Sequence, residues 1–178
     1  MILPTTYMGP IEWYRQFLAN PSAVQIEVME SFPKQTYRNR CTITTPDGAL
    51  TLSVPVKRVD SKQLTRDVEI SYQQRWQHQH WIALVSAYKR TPYFDYYADF
   101  FRPFYEQETR FLVDFNEKIH EVIVRLMAND MAIRNRQWAI GKNRTSDWSG
   151  QDLEPTFGNG QSILDILFEY GPESVMKI

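Results

Sequence analysis

The stretch RCTITTPDGALTLSVPV, Arg40 to Val56, constrains the fold more than any other part of the chain. Two runs rich in Thr, Ile, Leu and Val flank Pro46-Asp47-Gly48. β-Branched side chains are stiff at χ1 and pack best on a pleated surface, and Gly48 can adopt the positive φ that a tight reversal requires. The two runs are therefore predicted to pair as an antiparallel hairpin, with one face covered by the rest of the chain. Cys41, in the first run, reads as a small buried hydrophobe, because a nucleophilic thiol needs a neighbouring histidine and a lowered pKa.

The periodicity on either side differs. Before the hairpin, ILPTT is a short β-branched run and Tyr7-Met8-Gly9-Pro10 a turn. IEWYRQFLAN places Ile11, Tyr14, Phe17 and Leu18 at helical spacing, and AVQIEVM alternates as a strand parallel to the first if the helix is the crossover. After the hairpin, VEISY is predicted to be a further strand. From Trp76 the period becomes helical: Trp76 to Arg90, Tyr93 to Tyr105, a long helix over Gln107 to Met127, and Ser162 to Phe168, stopped by Gly171-Pro172. Met131 to Ile140 reads as one more strand and Asn143 to Gly160 as a loop. Strands early and helices late indicate an α/β domain, with a mixed sheet from the N-terminal half and helices from the C-terminal half. The chain has 178 residues, 43% of them hydrophobic, enough for one well-filled core; residues 1–178 are expected to form a single domain.

RWQHQHW holds two of the three histidines. On a helix, residues two apart point about 200° from each other, so His78 and His80 are not expected to share a metal. His80 aligns with Trp76, Leu84 and Ala87, and His78 with Ile82 and Val85. His80 has two readings. It is either a core ring bonded to a backbone carbonyl or a general base, since an ordinary imidazole pKa near 6.5 suits proton transfer at neutral pH; it is the candidate catalytic residue. No Gly-rich phosphate loop, no Ser-His-Asp pattern and no metal-ligand spacing is present, and the sequence assigns no cofactor.

Charge is uneven. Residues 34–90 hold ten basic against four acidic side chains, whereas 91–178 hold nine against fourteen. The basic residues include Lys34, Arg38, Arg40, Lys57, Arg58, Arg66 and Arg75. If Arg38 and Arg40 begin a strand they share a face, and two guanidinium forks grip a phosphate or carboxylate while Asn39 points opposite and Lys34 and Lys57 add point charges. The alternative pairs these arginines with Glu27, Glu30 or Glu69. The predicted pocket lies between the Thr5 to Pro10 loop, with Tyr7, and the start of the Trp76 helix. Tyr88, near the end of that helix, is placed either to bond a sugar hydroxyl or to anchor the core. The expected partner is a phosphate- or carboxylate-bearing small molecule such as a nucleotide sugar. A pI near 6.3 and the lack of a basic stripe exclude nucleic acid. No apolar run is long enough to span a membrane, no signal peptide is visible, and a single cysteine suits a reducing compartment, so the expected location is cytoplasmic.

PTTYMGPIEWY, SFPKQTYRNRCTI followed by GALTLSVPVKR, WQHQHWIALVSAYKRTPYFDYY and SILDILFEYGPES resemble successive blocks of the WbqC-like family, in the form seen in Bacteroidetes. The likeness is densest from Lys34 to Tyr97. It implies a place in surface-polysaccharide biosynthesis (O-antigen or capsule), with transfer of a glycyl or other acyl group to an amino sugar as the activity suggested for some members. It supplies no catalytic residue. The chain has Asp152-Leu153-Glu154 where the family often has Asp-Leu-Arg, so no ligand-binding arginine carries over there. Two function classes follow: a transferase that holds an activated donor on the basic strand, and a noncatalytic ligand-binding or assembly protein that uses the same anion pocket or the aromatic surface of Tyr93 to Tyr97.

Overall fold

A computed structural model of the chain describes residues 1–19, 24–127 and 160–178. At the N-terminus β1 (Ile2–Pro4), α1 (Ile11–Ala19) and β2 (Gln25–Glu27) form the strand–helix–strand unit read from the sequence. β1 and β2 run parallel, with Ile2 opposite Gln25 and Pro4 opposite Glu27. α1 buries Trp13, Tyr14 and Phe17 on one side, which is the stripe its spacing requires.

The hairpin is β3 (Arg40–Thr45) and β4 (Gly48–Ser53), antiparallel from the pair Arg40–Ser53 to the pair Thr45–Gly48. Gly48 has φ 114°, and Thr45 braces the turn by donating from Oγ1 to the Gly48 carbonyl at 2.7 Å. Cys41, Ile43 and Leu52 are buried. Alternation turns Arg40, Thr42, Thr51 and Ser53 to the other face.

The class is α/β, but the strands of the described residues form two separate pairs rather than one mixed sheet. The free edge of β3 is taken by another segment: the Ser162 N–H donates to the Thr42 carbonyl at 2.8 Å, and the Thr44 N–H to the Asp165 carboxylate at 3.1 Å. The strand predicted at Val68 to Tyr72 is replaced by single bridges, Val56 to Ile70 and Glu69 to Phe111. This segment threads between two irregular neighbours, and Pro55 beside it has no N–H with which to continue a ladder.

The helices are α2 (Trp76–Tyr88), α3 (Phe94–Phe101), α4 (Pro103–Glu106), α5 (Leu112–Met127) and α6 (Ile163–Tyr170), followed by a 3-10 segment, Gly171–Lys177. The helix expected over Tyr93 to Tyr105 is divided before Pro103, which lacks the N–H that would continue it. α5 begins later than Gln107 because the backbone of Arg110 and Phe111 is bonded to Ile70 and Glu69 instead. Ser162 caps α6: its Oγ accepts from the Leu164 N–H at 3.2 Å and donates to the Met8 carbonyl at 2.8 Å. One hydrophobic cluster takes Leu3, Phe17, Ile43, Leu84, Phe115, Ile119 and Phe168 from both halves of the chain. Among the described residues no helix is long and apolar enough to cross a membrane. The strand expected at Met131 to Ile140, and the loop from Asn143 up to Gly160, lie outside the described residues.

Candidate functional site

The Thr5 to Pro10 loop, the Tyr37 to Arg40 segment and the start of α2 meet, but as packed interior rather than as the walls of the expected pocket: Tyr7, Arg38, Trp76 and His80 are all buried. The Tyr7 N–H donates to the Tyr37 carbonyl at 2.9 Å, and Asn116 of α5 ties the same two segments, donating from Nδ2 to Thr5 Oγ1 at 3.2 Å and to the Arg38 carbonyl at 2.8 Å. Beneath them the Tyr7 hydroxyl sits 2.9 Å from His80 Nδ1 and 2.9 Å from the Tyr105 hydroxyl. The His80 ring also hydrogen-bonds to the backbone of Ser53. The Tyr105 hydroxyl also lies 3.6 Å from Met8 Sδ, to which it donates.

Trp76 packs edge-on against His80, with ring centres 5.0 Å apart, and against Phe115. His80 is 5% exposed, and burial lowers its pKa to about 4 against the opposing pull of the Ser53 bond. Burial likewise raises the Tyr7 and Tyr105 hydroxyls above the ordinary phenol range. The neutral imidazole is pinned between protein groups, as the core reading of His80 requires, and at about 4 it is a weak base at neutral pH. His78, on the other side of α2, is exposed.

The two arginines do not act as a pair. Arg38 is 1% exposed; its Nη2 donates to Glu30 Oε2 at 3.0 Å, its Nε pairs with Glu30 Oε1, and its Nη1 donates to Thr36 Oγ1 at 3.1 Å. A two-toothed match of this kind offsets much of the cost of burying both charges. The shared face expected of Arg38 and Arg40 required a strand through both. The chain instead turns through Tyr37 to Asn39, where the Asn39 N–H donates to the Thr36 carbonyl at 3.3 Å, and β3 starts only at Arg40. Arg40 is half-buried, no carboxylate among the described residues pairs with it, and its Nε is buried without a hydrogen-bond partner. Register and alternation place Ser53 opposite it and Thr42 and Thr51 next along the same face, the two threonine hydroxyls 3.4 Å apart. One guanidinium among three hydroxyls can hold an anion.

The remaining candidates are dispersed. Asn39 donates from Nδ2 to the Val54 carbonyl at 3.0 Å, which leaves its Oδ1 buried and unmatched. Lys34 is exposed in a turn. Lys57, 62% exposed, pairs at 2.6 Å with Glu69, which also holds Arg110 at 2.8 Å; the three border a separate groove of about 550 Å3 with Tyr72 and Thr109. The Lys57 and Arg110 hydrogen bonds lower the Glu69 pKa. Tyr88, at the far end of α2, donates to Asp165 Oδ1 at 2.6 Å, and burial followed by that carboxylate raises its pKa.

Asp165, Tyr105 and Asn116 carried no signal in the sequence that would have singled them out. Each is an ordinary polar position of a helix, and only the fold supplies its distant partner.

A family model described as the WbqC-like protein family matches residues 7–150. No curated protein and no solved structure matches the chain.

Proposed function

The chain belongs to the WbqC-like protein family, and from that premise we propose that it binds a phosphate- or carboxylate-bearing small molecule on the outer face of the hairpin, with Arg40 gripping the anion. The observation that carries this reading is the state of the Arg40 guanidinium: half-buried, without a carboxylate among the described residues, and with Nε unmatched. A buried N–H left without an acceptor costs about 1–3 kcal/mol, which an arriving anion recovers. Thr42, Thr51 and Ser53 supply hydroxyls to the same anion, and His80 holds the Ser53 backbone in place from beneath.

The family resemblance supplies the context: a transferase of surface-polysaccharide biosynthesis whose activated donor, a nucleotide sugar or an acyl phosphate, presents the anion. In that role the hairpin binds and orients, and the donor's own leaving group makes transfer favourable. A second reading, a binding protein without turnover, is favoured by His80, whose ring is engaged in the core rather than presented to a ligand.

Calorimetry with a UDP-hexosamine and with inorganic pyrophosphate tests the site. Arg40→Gln is expected to weaken binding about tenfold or more, the size of a lost charge-assisted hydrogen bond, and Arg40→Lys to weaken it less while abolishing any two-toothed contact. Unchanged affinity in both variants removes the reading. Incubation of the UDP-hexosamine with an activated acyl donor separates the two roles, since an enzyme consumes both and a binding protein returns them intact.

A further inference from the structure

A second cavity, of about 390 Å3, opens between the hairpin tip, the end of α2 and α6, where Thr44, Thr45, Tyr88, Thr91, Asp165 and Glu169 line it. Its hydrogens are already committed. Thr44 Oγ1 donates to Asp165 Oδ2 at 2.8 Å, Tyr88 to Asp165 Oδ1 at 2.6 Å, Thr45 Oγ1 to the Gly48 carbonyl at 2.7 Å, and Thr91 Oγ1 to the Tyr88 carbonyl at 2.7 Å. Each hydroxyl has a single hydrogen, so what these groups still offer to the cavity is lone pairs. Asp165 also accepts the Thr44 N–H at 3.1 Å, which fills three of the roughly four acceptor positions of a carboxylate. Glu169, one turn along α6 from Asp165 and on the same side, is exposed, and no lysine or arginine among the described residues forms an ion pair with either carboxylate. Of the lining side chains, Gln161 alone carries N–H groups.

The walls are largely apolar, with Pro46 and Ala87 among them, and the oxygens they carry are left as acceptors, two of the groups being negatively charged; such a site selects for a donor-rich cation. We propose that it binds the primary ammonium group of a small ligand, whose three N–H bonds and positive charge match what Asp165 Oδ2, Glu169 and the threonine oxygens leave open. Its volume falls within the range of about 300–1,000 Å3 usual for small-molecule sites. The inference goes beyond the Arg40 reading and does not depend on it: the charge preference is opposite, and the groups are at the other end of β3. Asp165 itself braces Thr44 and Tyr88, so its replacement would mix binding with folding, whereas Glu169 is free of that difficulty.

The test titrates the full chain, labelled with 15N, with ethanolamine, and in parallel with ethylene glycol, with sodium chloride at matched ionic strength and with calcium chloride. The expected result is a saturable shift of the Thr44, Thr45, Thr91 and Gln161 amides with ethanolamine alone. Glu169→Gln should weaken it about threefold, as losing one solvent-exposed charge pair does, and Arg40→Gln should leave it unchanged. Equal shifts with ethylene glycol or either salt, no saturable shift at all, or an undiminished response in Glu169→Gln would overturn the proposal. Loss of the response in a folded Arg40→Gln chain would show that the two sites are one and would overturn it as well.

Discussion

The interior beneath the Thr5 to Pro10 loop and the outer face of the hairpin are joined by residues only two apart in sequence, yet they treat charge in opposite ways. Inside, Arg38 meets the Glu30 carboxylate with two nitrogens and His80 is held neutral between Tyr7 and Ser53. Outside, Arg40 reaches half-buried surroundings with Nε unmatched. A group whose partners belong to the protein contributes to stability; a group left short of partners is available to a ligand. Counting basic residues along the segment cannot separate these cases, because both arginines carry the same charge.

The comparison can be broken first at Arg38. Arg38→Met takes the buried guanidinium away from Glu30 and is expected to cost about 3–5 kcal/mol in urea denaturation, as removing one member of a buried pair does. An unchanged midpoint would mean that the pair is not holding the interior. Acid is the next probe. The His80 pKa falls from 6.5 to about 4 on folding, so its contribution is present in full above pH 6.5 and is lost as pH falls through about 4. That loss is about 3 kcal/mol, and His120, lowered to about 3 by burial, adds to it in the same direction. Denaturation curves between pH 7 and about pH 4.5, where ordinary carboxylates contribute little, should show stability declining, with a shallower decline in His80→Gln. A flat profile would place the imidazole in water.

Tyr7→Phe comes third. It removes the hydroxyl between His80 and Tyr105 and should lower stability by about 1–2 kcal/mol. Arg40→Gln should not lower stability, since no group among the described residues pairs with the guanidinium and its unmatched Nε is itself a cost; a large loss would move Arg40 into the same class as Arg38. Lys57→Ala, at an exposed pair, should leave the denaturation midpoint where it was, and a shift would show that the Glu69 groove is more than surface.

How much of this was legible beforehand follows the range of the interactions. The hairpin was visible because Pro46-Asp47-Gly48 and the alternating runs beside it act locally, and the divergence of His78 and His80 followed from helix geometry alone. The strand expected at Val68 to Tyr72 failed because its neighbours on both sides decide whether it pairs, and neither is near it in sequence. The same applies to the site. The sequence offers Glu27, Glu30 and Glu69 as partners for the arginines, but the choice of Glu30 depends on the turn at Tyr37 to Asn39, within which there is no glycine or proline. The cavity at the hairpin tip was illegible, since Thr44, Tyr88 and Asp165 meet across 121 and 77 positions of sequence separation. The Tyr88 hydroxyl is a visible candidate in the sequence; the carboxylate that receives its hydrogen is not.

Cys41 offers a way to watch the hairpin move. It is the one cysteine of the chain, 2% exposed under β3, and burial raises its thiol pKa well above the ordinary range. An alkylating reagent needs thiolate and access, and the folded hairpin denies both. Labelling therefore proceeds only through openings that lift β3 from α2, and its rate serves as a clock for that local event. A ligand seated on the outer face, or in the cavity at the tip, should slow the clock in proportion to its occupancy, giving a binding assay that needs no knowledge of the reaction.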